Sequence, residues 1–209
     1  RHPVGPALAA RGGGEAVQFV SASFSAMPAP TLANPAAMAI TSVASSLNVN
    51  LSAGPTRTYA LAYQPFFVTG DAVPDGKGGS ILSGGYCEIN NQPIIDNSVA
   101  GASRQFFSDS PDGTSLLTVP NAAIAGVKGH AVFAVVQFEY TTWASDGVTD
   151  MYGPLPSHIT ILTLDQDPAT GKLALVKYHN VDTSGVNGLW ITCGASVSPW
   201  GTHLAHEGY

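Results

Sequence analysis

The chain has 209 residues, enough for one domain of ordinary size or for part of a larger protein. Only 11% of the residues are charged, and the eight lysines and arginines are scattered within a net charge of −6, so we expect no nucleic-acid partner. No stretch approaches the roughly 20 apolar residues of a membrane helix, which excludes a helical membrane span.

The N-terminal quarter carries weak structural signals. Residues 1–15 are rich in Pro, Gly and Ala, which predicts a flexible N-terminal arm. We predict that residues 16–209 form a single β-rich domain. Alternating side chains over Ala16 to Phe24 favour a first strand. Pro35 suits the first turn of a helix and predicts a short helix near Asn34 to Ser46.

The β signal strengthens after Arg57. Strands are predicted over Thr58 to Thr69, Ser80 to Tyr86, Ser115 to Val119, His130 to Tyr140, Ser157 to Leu164 and Leu173 to Tyr178. Turns are predicted at Pro74 to Gly79, Ser110 to Thr114 and Asp165 to Lys172. The strand from His130 is apolar on both faces, so it should be central and covered on both sides. Short strands between such turns predict an all-β sandwich, barrel or propeller.

The last seventeen residues gather several potential metal ligands, namely Cys193, His203, His206 and Glu207. Pro199 fixes its own φ and Gly201 allows a backbone conformation closed to other residues, so a sharp turn is expected around Trp200. Cys193 can meet the residues after that turn only if the chain doubles back.

The chemistry of each candidate ligand differs. A thiolate at Cys193 is a strong metal ligand, although the same residue could be a small buried hydrophobe or form a disulfide with Cys87. A carboxylate such as Glu207 suits calcium. Glu139 lies within an apolar strand, where an ionised carboxylate is costly without a cation or a hydrogen-bond partner. His203 and His206 point to opposite faces of a strand, so they should not bind one metal together.

The stretch from Leu189 to Glu207 resembles the signature of the PhoX-type alkaline phosphatases. In that signature a Cys and a small Gly-rich run precede Thr-Pro-Trp-Gly-Thr, and an apolar stretch then ends in Glu-Glu. Here Cys193 precedes Ser-Pro-Trp-Gly-Thr, and Glu207 is followed by Gly208 in place of the second Glu. The resemblance implies that Cys193 and Glu207 are metal ligands.

An earlier strand also resembles the family. Val136 to Tyr140 is similar to a strand of those enzymes that ends in a Glu, which makes Glu139 a third implied metal ligand. The looser resemblance extends over the strands from Val73 to Val181. The family members are six-bladed β-propellers, secreted through a signal peptide, that hydrolyse phosphomonoesters with iron and calcium at the propeller mouth.

The resemblance therefore implies a secreted or periplasmic metal-dependent phosphomonoesterase-like protein. Its cofactors would be iron and calcium, and its substrates would be small phosphate esters. Because each propeller blade takes about 40 to 50 residues, 209 residues supply only part of six blades. We expect propeller-like antiparallel sheets that form an incomplete propeller or one completed by another chain, and this fragment alone could be inactive.

The composition also allows functions of a different class. Low charge, abundant Gly, Ala, Ser and Thr, and unclosed sheet edges fit an extracellular structural protein that self-assembles by strand exchange between copies. A calcium-dependent binding module is a third reading of the acidic residues.

Overall fold

The computed structural model describes residues 16–27, 29, 31–34, 36, 42–63 and 65–208, and the predicted arm at residues 1–15 lies outside them. The chain divides into two compact units, Arg1–Gln64 and Pro65–Tyr209. The described residues contain antiparallel strands and short 3-10 turns but no α-helix, which confirms the all-β prediction. They include no helix able to cross a membrane.

The first unit is a three-stranded antiparallel sheet. It comprises β1 (Phe19–Ser25), β2 (Ser42–Leu51) and β3 (Arg57–Ala62) in the order β1-β2-β3. The predicted first strand is confirmed. The predicted strand from Thr58 ends at Ala62, before Pro65, which cannot donate to a ladder.

The predicted helix near Asn34 to Ser46 is wrong over Ser42 to Ser46, which belong to β2. Pairing with strands on both sides outweighs the weak helix signal of Ser and Val there. Pro35 and residues 37–41, also within the predicted helix, lie outside the described residues.

The two faces of this first sheet differ in polarity. On one face Asn48 Nδ2 donates to Ser25 Oγ at 3.1 Å, and Thr58 Oγ1 donates to Asn48 Oδ1 at 2.9 Å. On the other face Leu47 pairs with both Phe24 and Tyr59. Phe24 is 70% exposed, so the sheet presents apolar side chains to solvent.

The second unit is built around one four-stranded sheet of order β11-β10-β9-β8. Its strands are β8 (Pro111–Leu117), β9 (His130–Phe138), β10 (His158–Gln166) and β11 (Leu173–Asn180). Three strand pairs complete the unit: β4 (Ala72–Pro74) with β5 (Ser80–Leu82), β6 (Ile95–Asp96) with β7 (Arg104–Gln105), and β12 (Thr192–Val197) with β13 (His203–Glu207). None of the sheets in the described residues closes on itself.

The main core lies on one face of the four-stranded sheet. Alternate residues of β9 are buried there together with side chains from β10, β11 and β4: Val73, Val132, Ala134, Val136, Phe138, Leu162, Leu164 and Tyr178. Burial of each large apolar side chain contributes about 1.5–3 kcal/mol. β9 lies between β8 and β10, so the prediction that it is a central strand is confirmed.

Two of the three predicted turns are confirmed. In the turn at Pro74 to Gly79, Asp75 Oδ1 accepts the backbone N–H groups of Lys77 and Gly79 at 2.7 and 3.0 Å. In the turn at Asp165 to Lys172, which joins β10 and β11, Asp167 Oδ1 accepts two N–H groups and Gly171 has a φ of 74°.

The prediction of a turn at Ser110 to Thr114 is wrong, because Pro111 already belongs to β8. Pro111 pairs with Phe138, and β8 is an edge strand, where proline is tolerated. The register between β8 and β9 shifts between Pro111 and Thr114. The Pro-Asp-Gly sequence therefore forms a bulge in a strand instead of a turn between strands.

A buried histidine lies at the start of β10. The His158 ring stacks on Phe138 with centroids 4.7 Å apart, and it meets Tyr86 edge-on at 5.3 Å. Neither ring nitrogen has a hydrogen-bond partner in the part of the chain that the structure describes. Burial lowers the pKa of His158 to about 4, because the charged ring would lose its hydration.

This buried imidazole should make the protein acid-sensitive. The unfolded chain takes up a proton near the ordinary pKa of 6.5, while the folded state takes it up only near 4, so stability is lost as the pH falls between these values. The loss is at most about 1.4 kcal/mol per pH unit. In His158→Phe the free energy of unfolding, measured with urea, should fall less steeply over this pH range. Some fall should remain, because the pKa values of His179 and His203 are lowered too. Equal slopes for the two proteins would contradict this account.

Candidate metal centre

Two carboxylates and a thiol from different parts of the chain meet in the second unit. Asp112 lies in the β8 bulge, Glu139 directly follows β9, and Cys193 lies in β12. A carboxylate oxygen of each acid and the Cys193 Sγ lie within 4.8 Å of one another. Asp112 is exposed and the other two are partly buried, so the cluster is open to solvent on one side.

The β8 bulge and a glycine bring these strands together. The register shift after Pro111 changes the direction of the Asp112 side chain, which is a common role of bulges near functional sites. Gly113 is buried, and a Cβ atom there would lie 2.6 Å from the Cys193 carbonyl oxygen and 2.7 Å from the Ala195 nitrogen. Only a residue without a side chain allows the β12 backbone to approach this closely.

A chain of hydrogen bonds fixes β12 against β8 and β9. Gln137 is fully buried, and its Nε2 donates to the Cys193 carbonyl oxygen at 2.6 Å. Its Oε1 therefore accepts from His203 Nε2 at 3.1 Å, which leaves His203 Nδ1 to accept from the Ser115 hydroxyl at 2.8 Å. His203 thus holds the strands together and has no nitrogen left for a metal.

The electrostatics of the cluster favour a cation. The pKa of the Cys193 thiol is raised to about 11, first by hydrogen bonding to the Asp112 carboxylate, then by burial and by the charges of Asp112 and Glu139. None of these influences comes from a basic group. The thiol is therefore protonated at neutral pH, and a metal ion must displace that proton to bind sulfur.

The reactivity of this thiol tests the raised pKa. In metal-free Cys87→Ala protein, which keeps Cys193 as its one thiol, alkylation by iodoacetamide at about pH 8 should be on the order of 100-fold slower than for an ordinary thiol. Adding Asp112→Asn should lower the pKa and speed the reaction by about tenfold. Glu88→Gln removes the same charge elsewhere and should leave the rate unchanged. An unchanged rate in the Asp112 variant would rule out this origin of the shift.

Two of the three ligands expected from the sequence lie in the cluster, and the third does not. Glu207 is exposed at the end of β13, and its Oε1 accepts the backbone N–H of Trp190 at 2.5 Å. It is outside the group formed by Asp112, Glu139 and Cys193. The carboxylate thus links the end of β13 to the backbone just before β12.

The remaining candidates have other roles. His206 is exposed, and its Nδ1 lies 3.0 Å from the Glu207 carbonyl oxygen. Cys87 and Cys193 are both free, so the possible disulfide between them is not formed. Cys87 Sγ instead accepts from Gln105 Nε2 at 3.4 Å.

Asp112 is the cluster member that sequence reasoning missed. Its Pro-Asp-Gly context is typical of a turn, so the sequence predicts a turn at Ser110 to Thr114 and gives no reason to consider Asp112 as a ligand. Buried Gly113 and Ser115 alternate with exposed Asp112 and Thr114 as in a strand, but all four residues are small or polar, so the sequence itself carries no such alternation.

No protein-family model, curated protein or solved structure matches this chain. Whether the cluster can hold the metals implied by the motif therefore rests on its donor atoms.

The donor atoms fit iron better than calcium. Two carboxylates and a thiolate suit a transition metal. Calcium takes six to eight oxygen ligands, so a site containing a thiol is a poor match for it. Among the described residues no second group of three such side chains lies together, so the structure offers no comparable calcium cluster.

Proposed function

We propose that this chain is a metal-dependent phosphomonoesterase-like protein of the PhoX type, with iron held by Asp112, Glu139 and Cys193. One observation carries the proposal. The family resemblance implies metal ligands at Cys193 and at Glu139, and their ligand atoms lie within 4.8 Å of each other and of Asp112. Because these two residues are distant in the chain, their meeting in one cluster supports a shared role.

The chemistry of the cluster is consistent with phosphate esters as substrates. A bound iron ion would supply positive charge that polarises a phosphoryl oxygen. Without a cation, Asp112 and Glu139 would repel a phosphate dianion, so the proposed activity depends strictly on metal. Cys193 Sγ gives up its proton when the ion binds, and the exposed position of Asp112 leaves that side of the cluster accessible to substrate.

The fold and location implied by the family belong to the same proposal. The antiparallel sheet β8 to β11 has the four strands of a propeller blade, which supports an incomplete propeller or one completed by another chain. The proposal includes a secreted or periplasmic location, and it assigns no residues to calcium, because the described residues hold no second ligand cluster.

Phosphatase assays test this function directly. Iron-loaded protein should hydrolyse p-nitrophenyl phosphate, and Glu139→Gln should reduce kcat/KM by at least about 100-fold through loss of metal. Cys87→Ala is the matched control and should keep full activity, since Cys87 lies outside the cluster. An iron-loaded protein without phosphatase activity would refute the enzyme proposal for this chain.

A specific observation also favours the structural alternative. The first sheet exposes an apolar face that includes Phe24 and Tyr59, 70% and 47% exposed. Large exposed apolar surfaces often mark contacts with other molecules. We infer as a second candidate that the chain self-associates through this sheet. Sedimentation should then show oligomers that dissociate in Phe24→Ser, whereas a monomeric parent chain would exclude this candidate.

A further inference from the structure

A cavity lies in the second unit, separate from the cluster of Asp112, Glu139 and Cys193. It has a volume of about 810 Å³, within the range of small-molecule sites. Its walls come from the segment after β5, from the start of β10 and from the loop after β11, in residues 87–94, 156–158 and 180–188. Asp112, Glu139 and Cys193 do not line it.

Hydrogen bonds between its walls hold the cavity in shape. Asn180 Nδ2 donates to Asn91 Oδ1 at 3.3 Å across the opening, while Asn180 Oδ1 accepts from Thr160 Oγ1 at 3.1 Å. In the loop after β11, Asp182 Oδ1 accepts the backbone N–H of Ser184 at 2.9 Å. The opposing walls are therefore ordered before any ligand binds, which reduces the entropy lost on binding.

Several polar groups in the cavity wall have no protein partner. The Asn187 amide and the Glu88 carboxylate make no side-chain hydrogen bond within the residues that the structure describes. His158 also lines the cavity, but its ring nitrogens are buried beneath the wall, so the groups open to a ligand are the asparagine amides and the carboxylates.

The charge of the wall excludes anionic ligands. Glu88 and Asp182 line the cavity, and none of the described residues in its wall is a Lys or Arg. A phosphate ester would meet two carboxylates without a compensating base, so this cavity differs in specificity from the proposed phosphatase centre. The occupant must be neutral or cationic.

We propose that this cavity binds a neutral polyhydroxylated molecule such as a sugar. A hydroxyl group both donates and accepts, so it pairs with amides and carboxylates alike. The wall offers both, with four asparagines among its residues. Ile94 and Val181 provide apolar surface for the C–H groups of a sugar ring. An amine would only donate, and would leave the asparagine N–H groups without acceptors.

Ligand binding can be measured by NMR titration of the labelled full chain with D-glucose, D-galactose, D-mannose and myo-inositol. We expect at least one to bind with a Kd below about 10 mM and to shift signals of residues 87–94 and 180–188. Cys193→Ala should bind equally well, because this site does not depend on the acidic cluster. Choline, spermidine and inorganic phosphate serve as the cationic and anionic probes.

Matched variants locate the site. Asn187→Gly should weaken sugar binding by at least about tenfold, whereas Asn121→Gly should leave it unchanged. Both asparagines are exposed and have a positive φ, 61° and 58°, so the two changes have similar backbone effects. Binding of amines alone, no binding by any sugar, or equal weakening in both asparagine variants would each overturn the proposal.

Discussion

Cys193→Ala is expected to reduce iron affinity by at least about 100-fold. Cys193 Sγ is the one ligand that β12 contributes, and its loss leaves two carboxylates from β8 and the end of β9. Changes to groups that merely support a ligand already weaken metal binding by about 10- to 100-fold, so loss of the ligand itself should reach the upper end of that range. Metal content after anaerobic loading with Fe(II) and desalting, read by mass spectrometry, measures the effect.

Two further variants distinguish this cluster from other sites. Cys87→Ala should keep the iron content of the parent chain, because Cys87 lies outside the cluster. Glu207→Gln should also keep it, since the Glu207 carboxylate accepts the Trp190 N–H instead of joining the cluster. If Glu207→Gln lost its iron while Cys193→Ala retained it, the assignment of the metal centre would be wrong.

Gly113→Ala is expected to destabilise the protein by about 2–3 kcal/mol and to weaken iron binding as well. The new methyl group would lie 2.6 Å from the Cys193 carbonyl oxygen and 2.5 Å from the Ala195 Cβ, so β8 and β12 must move apart. That movement separates Asp112 from Cys193. Urea unfolding of the metal-free protein gives the stability change, and iron titration gives the loss of affinity.

A matched glycine controls for the intrinsic effect of the substitution. Gly185 has no atom within 4 Å of its Cβ position and no positive φ, so Gly185→Ala should change stability by less than about 0.5 kcal/mol. Ala195→Gly combined with Gly113→Ala should recover part of the lost stability, because it removes one of the close contacts. Equal stabilities for Gly113→Ala and Gly185→Ala would show that the β8–β12 approach is not tight.

Local sequence patterns correctly predicted the elements in which the tertiary contacts favour the same secondary structure as the local sequence. The β10–β11 hairpin combines two alternating apolar stretches with an Asp-Pro turn that closes through its own carboxylate, and no distant residue is needed to form it. The helix expected up to Ser46 illustrates the opposite case. There the signal was weak, and pairing of β2 with β1 and β3 determines a strand.

The candidate site was predictable only in part, for a similar reason. The family resemblance implies Cys193 and Glu139 as ligands, and the position of Glu139 in an apolar strand is unusual by itself. Asp112 was hidden because a bulge and a turn share the same local sequence. Glu207 was assigned from its place in the motif, but its carboxylate is used by a backbone N–H seventeen residues earlier in the chain.

The sequence by itself therefore determined the all-β class, the position of the central strand β9 and the hairpin turns. These follow from alternation and turn chemistry, both of which act over a few residues. Only the tertiary structure decided that Asp112, Glu139 and Cys193 meet, that Gln137 and His203 fix β12, and that Glu207 stays outside. Those arrangements depend on how β8, β9 and β12 pack together, and that packing is set by contacts between residues far apart in the chain.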